Sequence, residues 1–146
     1  MAKADEHVTI GALAKATGVK VPTIRFYEEI GLIPAPPRTN SNRRLYGPAA
    51  RSRLGFVRHA RDLGFDLPAI RALLALQDRP DAPCAEADAI ARERLDEVER
   101  KIAALAALKG ELEAMVRSCA HGRVADCRVI ETLGDHHLCR GEHPRA

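Results

Sequence analysis

Four cysteines carry the most reactive chemistry in this chain of 146 residues, and they are unevenly spaced. Cys84 and Cys119 stand at the two ends of a long charged segment, and seven residues separate Cys119 from Cys127. In a reducing compartment such cysteines are more typical of metal ligands or free thiols than of disulfides. Thiolates favour zinc, cadmium, lead, mercury or copper(I) over magnesium and calcium. The cysteines therefore predict a site for a soft metal ion.

Histidines extend this set of candidate ligands. His121 follows Cys119 by two residues, and zinc commonly takes four tetrahedral nitrogen and sulfur ligands. Cys84, Cys119, Cys127 and His121 would complete such a site. The tail adds a second group of candidates, for which three interpretations stay open: a return to the loop after Cys119, a second ion, or simple solvation. That second group is His136, His137, Cys139 and His143.

The segment between Cys84 and Cys119 reads as one helix, because residues 86–118 contain no Pro and a single Gly. Its apolar residues recur every three or four positions, and Val98, Leu105, Leu112 and Cys119 form a seven-residue series typical of a coiled coil. On such a helix Cys84 and Cys119 lie roughly 50 Å apart. They can meet only if the helix pairs antiparallel with a second copy, which would build two thiol clusters, one at each end of a homodimer.

The first half of the chain is predicted to form a separate set of short helices that precede this arm. Thr9 and Gly18 bracket a predicted helix over 10–17, and Pro22 begins a second one that ends near Ile30. Two short helices joined by a tight turn are the helix-turn-helix signature. An arginine-rich hairpin or wing is predicted over 38–46, and further helices over 48–62 and 68–76.

Charge is divided unequally between the two halves. Residues 1–76 carry 12 Lys and Arg against 6 Asp and Glu, whereas residues 77–146 carry 11 against 14. Seven arginines and no acidic residue lie between Arg38 and Arg61. A basic surface confined to one half is typical of a polyanion-binding domain.

Two motifs resemble the DNA-binding head of MerR-family transcriptional regulators. They are Thr23-Ile24-Arg25-Phe26-Tyr27-Glu28-Glu29-Ile30-Gly31-Leu32-Ile33, followed by Arg38 and Arg44-Leu45-Tyr46, and then Ala60-Arg61-Asp62-Leu63-Gly64-Phe65. With the long helix and the cysteines, the resemblance covers nearly the whole chain. The first wing departs from the family, which often has Gly-Tyr-Arg where this chain has Asn42-Arg43-Arg44.

The resemblance implies a set of DNA contacts, most of them to phosphates, which fix register without reading sequence. Two lie on the recognition helix, four in the first wing and two in the helix pair behind it: Arg25 and Tyr27; Arg38, Arg43, Arg44 and Tyr46; Arg58 and Arg61.

The resemblance also implies a mechanism. A dimer binds a palindromic promoter with an overlong spacer, and the metal effector makes it distort the DNA so that RNA polymerase engages both promoter elements. In the family, sensors of divalent ions carry Cys at the position of Cys84 and copper(I) sensors carry Ser. We therefore expect a divalent ion, zinc first, then cadmium or lead, with mercury also admitted, acting on metal resistance or efflux genes. The seven-residue spacing between Cys119 and Cys127 also occurs in copper-type members, so a copper(I)-responsive regulator is the alternative.

Other classes fit less well. The cysteines are too dispersed for an iron–sulfur cluster, and about 25 residues after the arm are too few for a drug-binding domain. No acid–base pair, phosphate loop or nucleophile–base arrangement indicates an enzyme. A metal-storage or metal-delivery protein remains the alternative from another class.

Localisation and domain limits complete the expectations. The N-terminus lacks the apolar core of a signal peptide and no apolar run could span a bilayer, so we expect a cytoplasmic protein with no membrane partner. The predicted fold is mainly α, with a winged helix-turn-helix head over 1–77 and a hinge over 78–83. A dimerisation helix over 84–118 forms an antiparallel coiled coil, and a metal-binding loop, short helix and tail occupy 119–146.

Overall fold

The computed structural model describes residues 7–41, 43–119 and 121–141, and the regular elements among them are helices, accompanied by two isolated β-bridges. The chain divides into two compact units, one up to Ile90 and one from Ala91 onward. The α-helices are α1 Ile10–Thr17, α2 Val21–Glu29, α3 Pro48–Asp62, α4 Leu67–Gln77, α5 Ala85–Arg117 and α6 Arg128–Gly134. Two short 3-10 helices, Val124–Asp126 and His136–Leu138, flank α6.

Local capping chemistry sets the helix ends of the first unit. The Thr9 hydroxyl accepts a hydrogen bond from the Ala12 amide at 3.3 Å, and the Asp66 carboxylate accepts one from the Ala69 amide at 2.8 Å. Gly18 ends α1 in the left-handed region at φ 70°, where a side chain would be strained. The predicted bounds of α1 and α3 are confirmed, and those of α2 and α4 are correct to within one residue.

A single apolar core holds α1 to α4 together. Its members come from every helix of the helix-turn-helix and from the segment that follows it: Leu13, Ile24, Leu32, Ile33, Tyr46, Leu54, Val57, Ile70 and Leu74 are fully or almost fully buried. The core therefore fixes α2 against α1 and α3.

The predicted wing is present as a narrow hairpin. Arg38 and Arg44 form an antiparallel bridge, and the Thr39 amide donates to the Arg43 carbonyl at 2.7 Å. A second bridge pairs Val8 with Tyr46. The predicted turn residue Asn42 lies outside the described residues.

The 33-residue helix α5 confirms the predicted arm helix, and its one buried residue is the polar Glu111. The two units divide inside this helix rather than at the predicted hinge, so the four-part division of the chain stays a prediction. Within the described ranges, no helix combines the length and the apolar composition that crossing a bilayer requires. The expected short helix after the loop is confirmed as α6.

Candidate metal centre and nucleic-acid interface

The end of α5 brings one predicted pair of ligands together. Cys119 Sγ lies 3.9 Å from Nδ1 of His121. His121 has a φ of 54°, the one positive value at a non-glycine residue among those described, and histidine tolerates this left-handed region better than most side chains. The turn after the helix thus places an imidazole nitrogen beside a thiol.

Two further predicted ligands precede helices. Cys84 is exposed just before α5, and Cys127 is half-buried just before α6. In the part of the chain that the structure describes, no group of three or more His, Cys, Asp or Glu side chains is arranged to hold a metal ion. The donor chemistry fits a soft ion, and within the described residues the Cys119–His121 pair accounts for only two of the expected ligands.

The tail is attached to α5 instead of to the loop. The Glu111 carboxylate accepts hydrogen bonds from the amides of Arg140 at 2.9 Å and Gly141 at 3.0 Å. Desolvation raises the pKa of the Cys139 thiol, and the neighbouring Glu111 carboxylate adds to the rise. Glu111 precedes Cys119 by eight residues, roughly 12 Å along a helix.

The three interpretations of the tail stay predictions. Among the described residues, Cys139, His136 and His137 are not gathered with Cys119 and Cys127 into a ligand group. His136 and Cys139 line an apolar cavity of about 410 Å³ with Glu111 and Met115. His143 lies outside the described residues.

The head presents a concave basic surface between α2 and the wing. Arg25, Arg38 and Arg43 are exposed, and together with Arg44 they line a cavity of about 700 Å³. These positions match the requirements of a phosphate-binding surface.

A buried carboxylate ties the recognition helix to the wing. The Glu28 side chain is 5% exposed and accepts a hydrogen bond from Arg44 at 2.6 Å. It also accepts one from the Tyr46 hydroxyl. Burial raises the pKa of Tyr46 to about 12, and the hydrogen bond to the Glu28 carboxylate adds to the rise. Arg44 is therefore held in place from behind by Glu28.

Both tyrosines lie mostly in the interior of the head. Tyr46 is fully buried and its hydroxyl is directed to Glu28, so its role as a DNA contact stays a prediction. Tyr27 is 7% exposed and also belongs to the core. The neighbouring Phe26, which sequence reasoning missed, is 45% exposed. The helical spacing could have indicated this, because Ile24 and Tyr27 are three residues apart and so share the inward face of α2, which leaves Phe26 on the outward face.

Arg58 and Arg61 make intramolecular bonds. Arg58 donates to the Thr17 carbonyl at the end of α1, and it lies 4.0 Å from Asp62. Arg61 donates to the Phe65 carbonyl at 3.1 Å. Both guanidiniums are thus held in fixed positions on the surface.

Two further arginines stabilise backbone carbonyls after α2. Arg53 donates to Leu32 at 3.1 Å, and Arg71 donates to Ile30 at 2.5 Å. The pairs are 21 and 41 residues apart in sequence, so no local pattern could have identified them.

Comparison with known proteins places these features in context. Residues 9–46 match the family model "MerR family regulatory protein", and residues 51–115 match "MerR, DNA binding". A mercuric resistance operon regulatory protein of Serratia marcescens is 41% identical over 135 residues, covering 91% of this chain and 92% of that protein. Heavy metal-dependent transcription regulator 2 of Rhizobium meliloti is 39% identical over 128 residues, covering 88% and 87%. The crystal structure of the transcription regulator PbrR691 from Ralstonia metallidurans in complex with lead(II) aligns with a TM-score of 0.73 at 38% identity, covering 86% of this chain and 98% of that one.

Proposed function

Because this chain belongs to the MerR family of regulatory proteins, we propose that it is a metal-responsive transcriptional regulator whose effector site is completed by a second copy of the chain. The observation that supports the proposal is the Cys119–His121 pair at the end of α5. Cys119 and His121 are adjacent, while Cys84 belongs to the opposite end of the same helix. An antiparallel partner would bring its own Cys84 to this end.

The exposed apolar face of α5 supports the homodimer. Ile102, Leu105 and Leu112 are each about 60% exposed in the single chain. They recur at helical spacing, and leaving such side chains in water forgoes roughly 1.5–3 kcal/mol each. Burying them in an antiparallel coiled coil would offset the entropy of ordering a long helix.

The donor chemistry favours a soft or borderline divalent ion. Three thiolates with His121 suit zinc in tetrahedral geometry, and cadmium, lead and mercury are also bound well by thiolates. The relatives named above are a regulatory protein of a mercuric resistance operon, a heavy metal-dependent transcription regulator and a transcription regulator in complex with lead(II). We place zinc first, cadmium or lead next, and mercury last. When bound, the ion would link the loop after Cys119 in one chain to Cys84, which follows the hinge, in the other.

The head would bind double-stranded promoter DNA. Arg25, Arg38 and Arg43 are exposed toward one concavity, and Arg44 is fixed beside them by Glu28. These cations would hold phosphates, while distortion of the duplex costs several kcal/mol, which effector binding must offset. RNA polymerase at the same promoter is the partner that would use the distorted DNA.

A complementation experiment tests the cross-chain site. Reduced apo protein is titrated with zinc, cadmium, lead, mercury and copper(I) as wild type, Cys84→Ser and Cys119→Ser, with Cys139→Ser as the matched control. The two site variants should lose tight divalent binding and the control should retain it. After unfolding and refolding a mixture of Cys84→Ser and Cys119→Ser, heterodimers should regain one intact site.

The outcomes separate the alternatives. Failure of the mixture to regain binding would exclude a site shared between chains. Tight copper(I) binding that is indifferent to Cys84→Ser would instead identify a copper(I)-responsive regulator. Binding to duplex DNA that does not weaken with added salt, or no DNA binding at all, would favour a metal-storage or metal-delivery protein.

A further inference from the structure

The outward face of the recognition helix combines a cation with an exposed aromatic ring. Ile24 is fully buried and Tyr27 is 7% exposed, which defines the inward face of α2. At 100° per residue, Arg25 and Phe26 both point away from that face. Phe26 is 45% exposed and Arg25 is exposed. The outward face of α2 therefore presents both a phenyl ring and a guanidinium to solvent.

The position of the ring is set by its neighbour. The ring centroids of Phe26 and Tyr27 lie 6.0 Å apart with a 46° angle between the planes, within the range of favourable aromatic pairs. Since Tyr27 is fixed in the core, Phe26 stands on a rigid base. Phe26 is the sixth residue of α2, on the helix that enters the major groove in helix-turn-helix proteins.

The chemistry of the ring limits what it can recognise. Phenylalanine has no donor or acceptor, so Phe26 cannot hydrogen-bond to a phosphate or to a polar base edge. Among the base edges in the major groove, thymine alone offers an apolar group, its C5 methyl, and phenylalanine is one of the side chains that contacts it. Arg25, in contrast, suits a phosphate or guanine.

We propose that Phe26 is a specificity-determining residue that contacts a thymine methyl in each half-site of the DNA. The inference rests on the proposed DNA-binding function and adds a base preference to a surface otherwise suited to phosphates. Each recognition helix of the dimer then prefers thymine at one fixed position. Two symmetry-related thymines follow from the two-fold axis of the proposed dimer.

Replacement of thymine by deoxyuridine tests this directly, because it removes the methyl and nothing else. Duplexes are first selected from a random pool by the full-length wild-type protein. The selected duplex is then synthesised with deoxyuridine at one thymine at a time, and binding is measured for wild type and Phe26→Ala. Leu63→Ala is the control, since Leu63 is an apolar side chain of the head that is 56% exposed and lies after α3.

When deoxyuridine replaces the contacted thymine of a half-site, wild type and Leu63→Ala should each bind about fourfold more weakly. That loss corresponds to the free energy of burying one methyl group. Phe26→Ala should bind the thymine duplex more weakly and show no further loss with deoxyuridine. Circular dichroism checks that the variant keeps its helices, as expected for an exposed side chain.

Three results would overturn the inference. Wild type could be indifferent to deoxyuridine at every position, Phe26→Ala could keep the full deoxyuridine effect, or the selected half-sites could lack a fixed thymine. If wild type selected no duplex at all, the proposed DNA-binding function would itself fail, which is a distinct observation.

Discussion

Replacing Tyr46 by phenylalanine removes one of the two side-chain hydrogen bonds that the buried Glu28 carboxylate accepts. The ring stays in the core, so packing is retained while one carboxylate oxygen loses its hydroxyl partner. A hydrogen bond to a charged group contributes about 1.5–3 kcal/mol. We expect the free energy of unfolding to fall by about that amount.

The assay is urea denaturation followed by circular dichroism at one fixed protein concentration. The control is Tyr27→Phe, which alters the other tyrosine of the chain, keeps the ring in the core and should lower stability less than Tyr46→Phe, because it leaves the Glu28 carboxylate with both of its partners. A Tyr46→Phe variant as stable as the control would refute the role of the hydroxyl in holding the wing to α2.

A titration provides an independent reading of the same bond. Tyr46 has a pKa of about 12 in the folded protein against 10.0 unfolded, so folding favours its neutral form. The associated stability is complete below pH 10 and is lost as the pH rises toward 12. In Tyr27→Phe, which leaves Tyr46 as the sole tyrosine in a chain without tryptophan, tyrosinate absorbance near 295 nm should appear only well above pH 10. A midpoint near 10 in the folded protein would contradict the buried geometry.

Four further predictions concern separate parts of the molecule. Glu111→Gln should release the tail and increase the alkylation rate of Cys139 several-fold in apo protein, read by mass spectrometry with Cys127 as the internal reference. Arg25→Ala should weaken DNA binding and lower the slope of log affinity against log salt by about one. Gly18→Ala should destabilise the head by at least about 1 kcal/mol, because the backbone is left-handed there and the new methyl would meet the Arg58 guanidinium. Gly110→Ala should stabilise α5 by up to about 1 kcal/mol, since nothing lies within 4 Å of the new methyl.

Each of these has a result that would contradict it. An unchanged alkylation rate would mean that Glu111 does not hold the tail. An unchanged salt slope would remove Arg25 from the phosphate contacts. Equal effects of the two glycine substitutions would show that neither backbone conformation nor the Arg58 contact matters at residue 18.

Local chemistry explains why the helices could be predicted so closely. Thr9, Gly18 and Pro48 act on the backbone within one turn of where they stand, so their effect on α1 and α3 is visible in the sequence. The candidate thiols were also identifiable, because cysteine is the main soft ligand and its spacing can be read directly. The adjacency of Cys119 and His121 followed from their separation of two residues.

Long-range pairing explains what could not be predicted. Glu28 and Tyr46 are 18 residues apart, and Glu111 and Arg140 are 29 apart. Whether a polar side chain of such a pair lies in the interior depends on how the helices pack together in the folded protein. The interior position of Tyr46 is such a case, because its hydroxyl partner Glu28 belongs to a different element.

Because α5 is nearly unburied in the single chain, the cellular concentration of the protein would influence the stability of its arm. Glu111 is the one residue of its 33 that the chain buries by itself, so in the proposed homodimer the folded population of the arm would depend on how often two chains meet. A cell that makes few copies would hold more unpaired chains, which expose apolar helix faces to proteases. The steepness of any response would then reflect synthesis and turnover of the chain as well as the concentration of its effector.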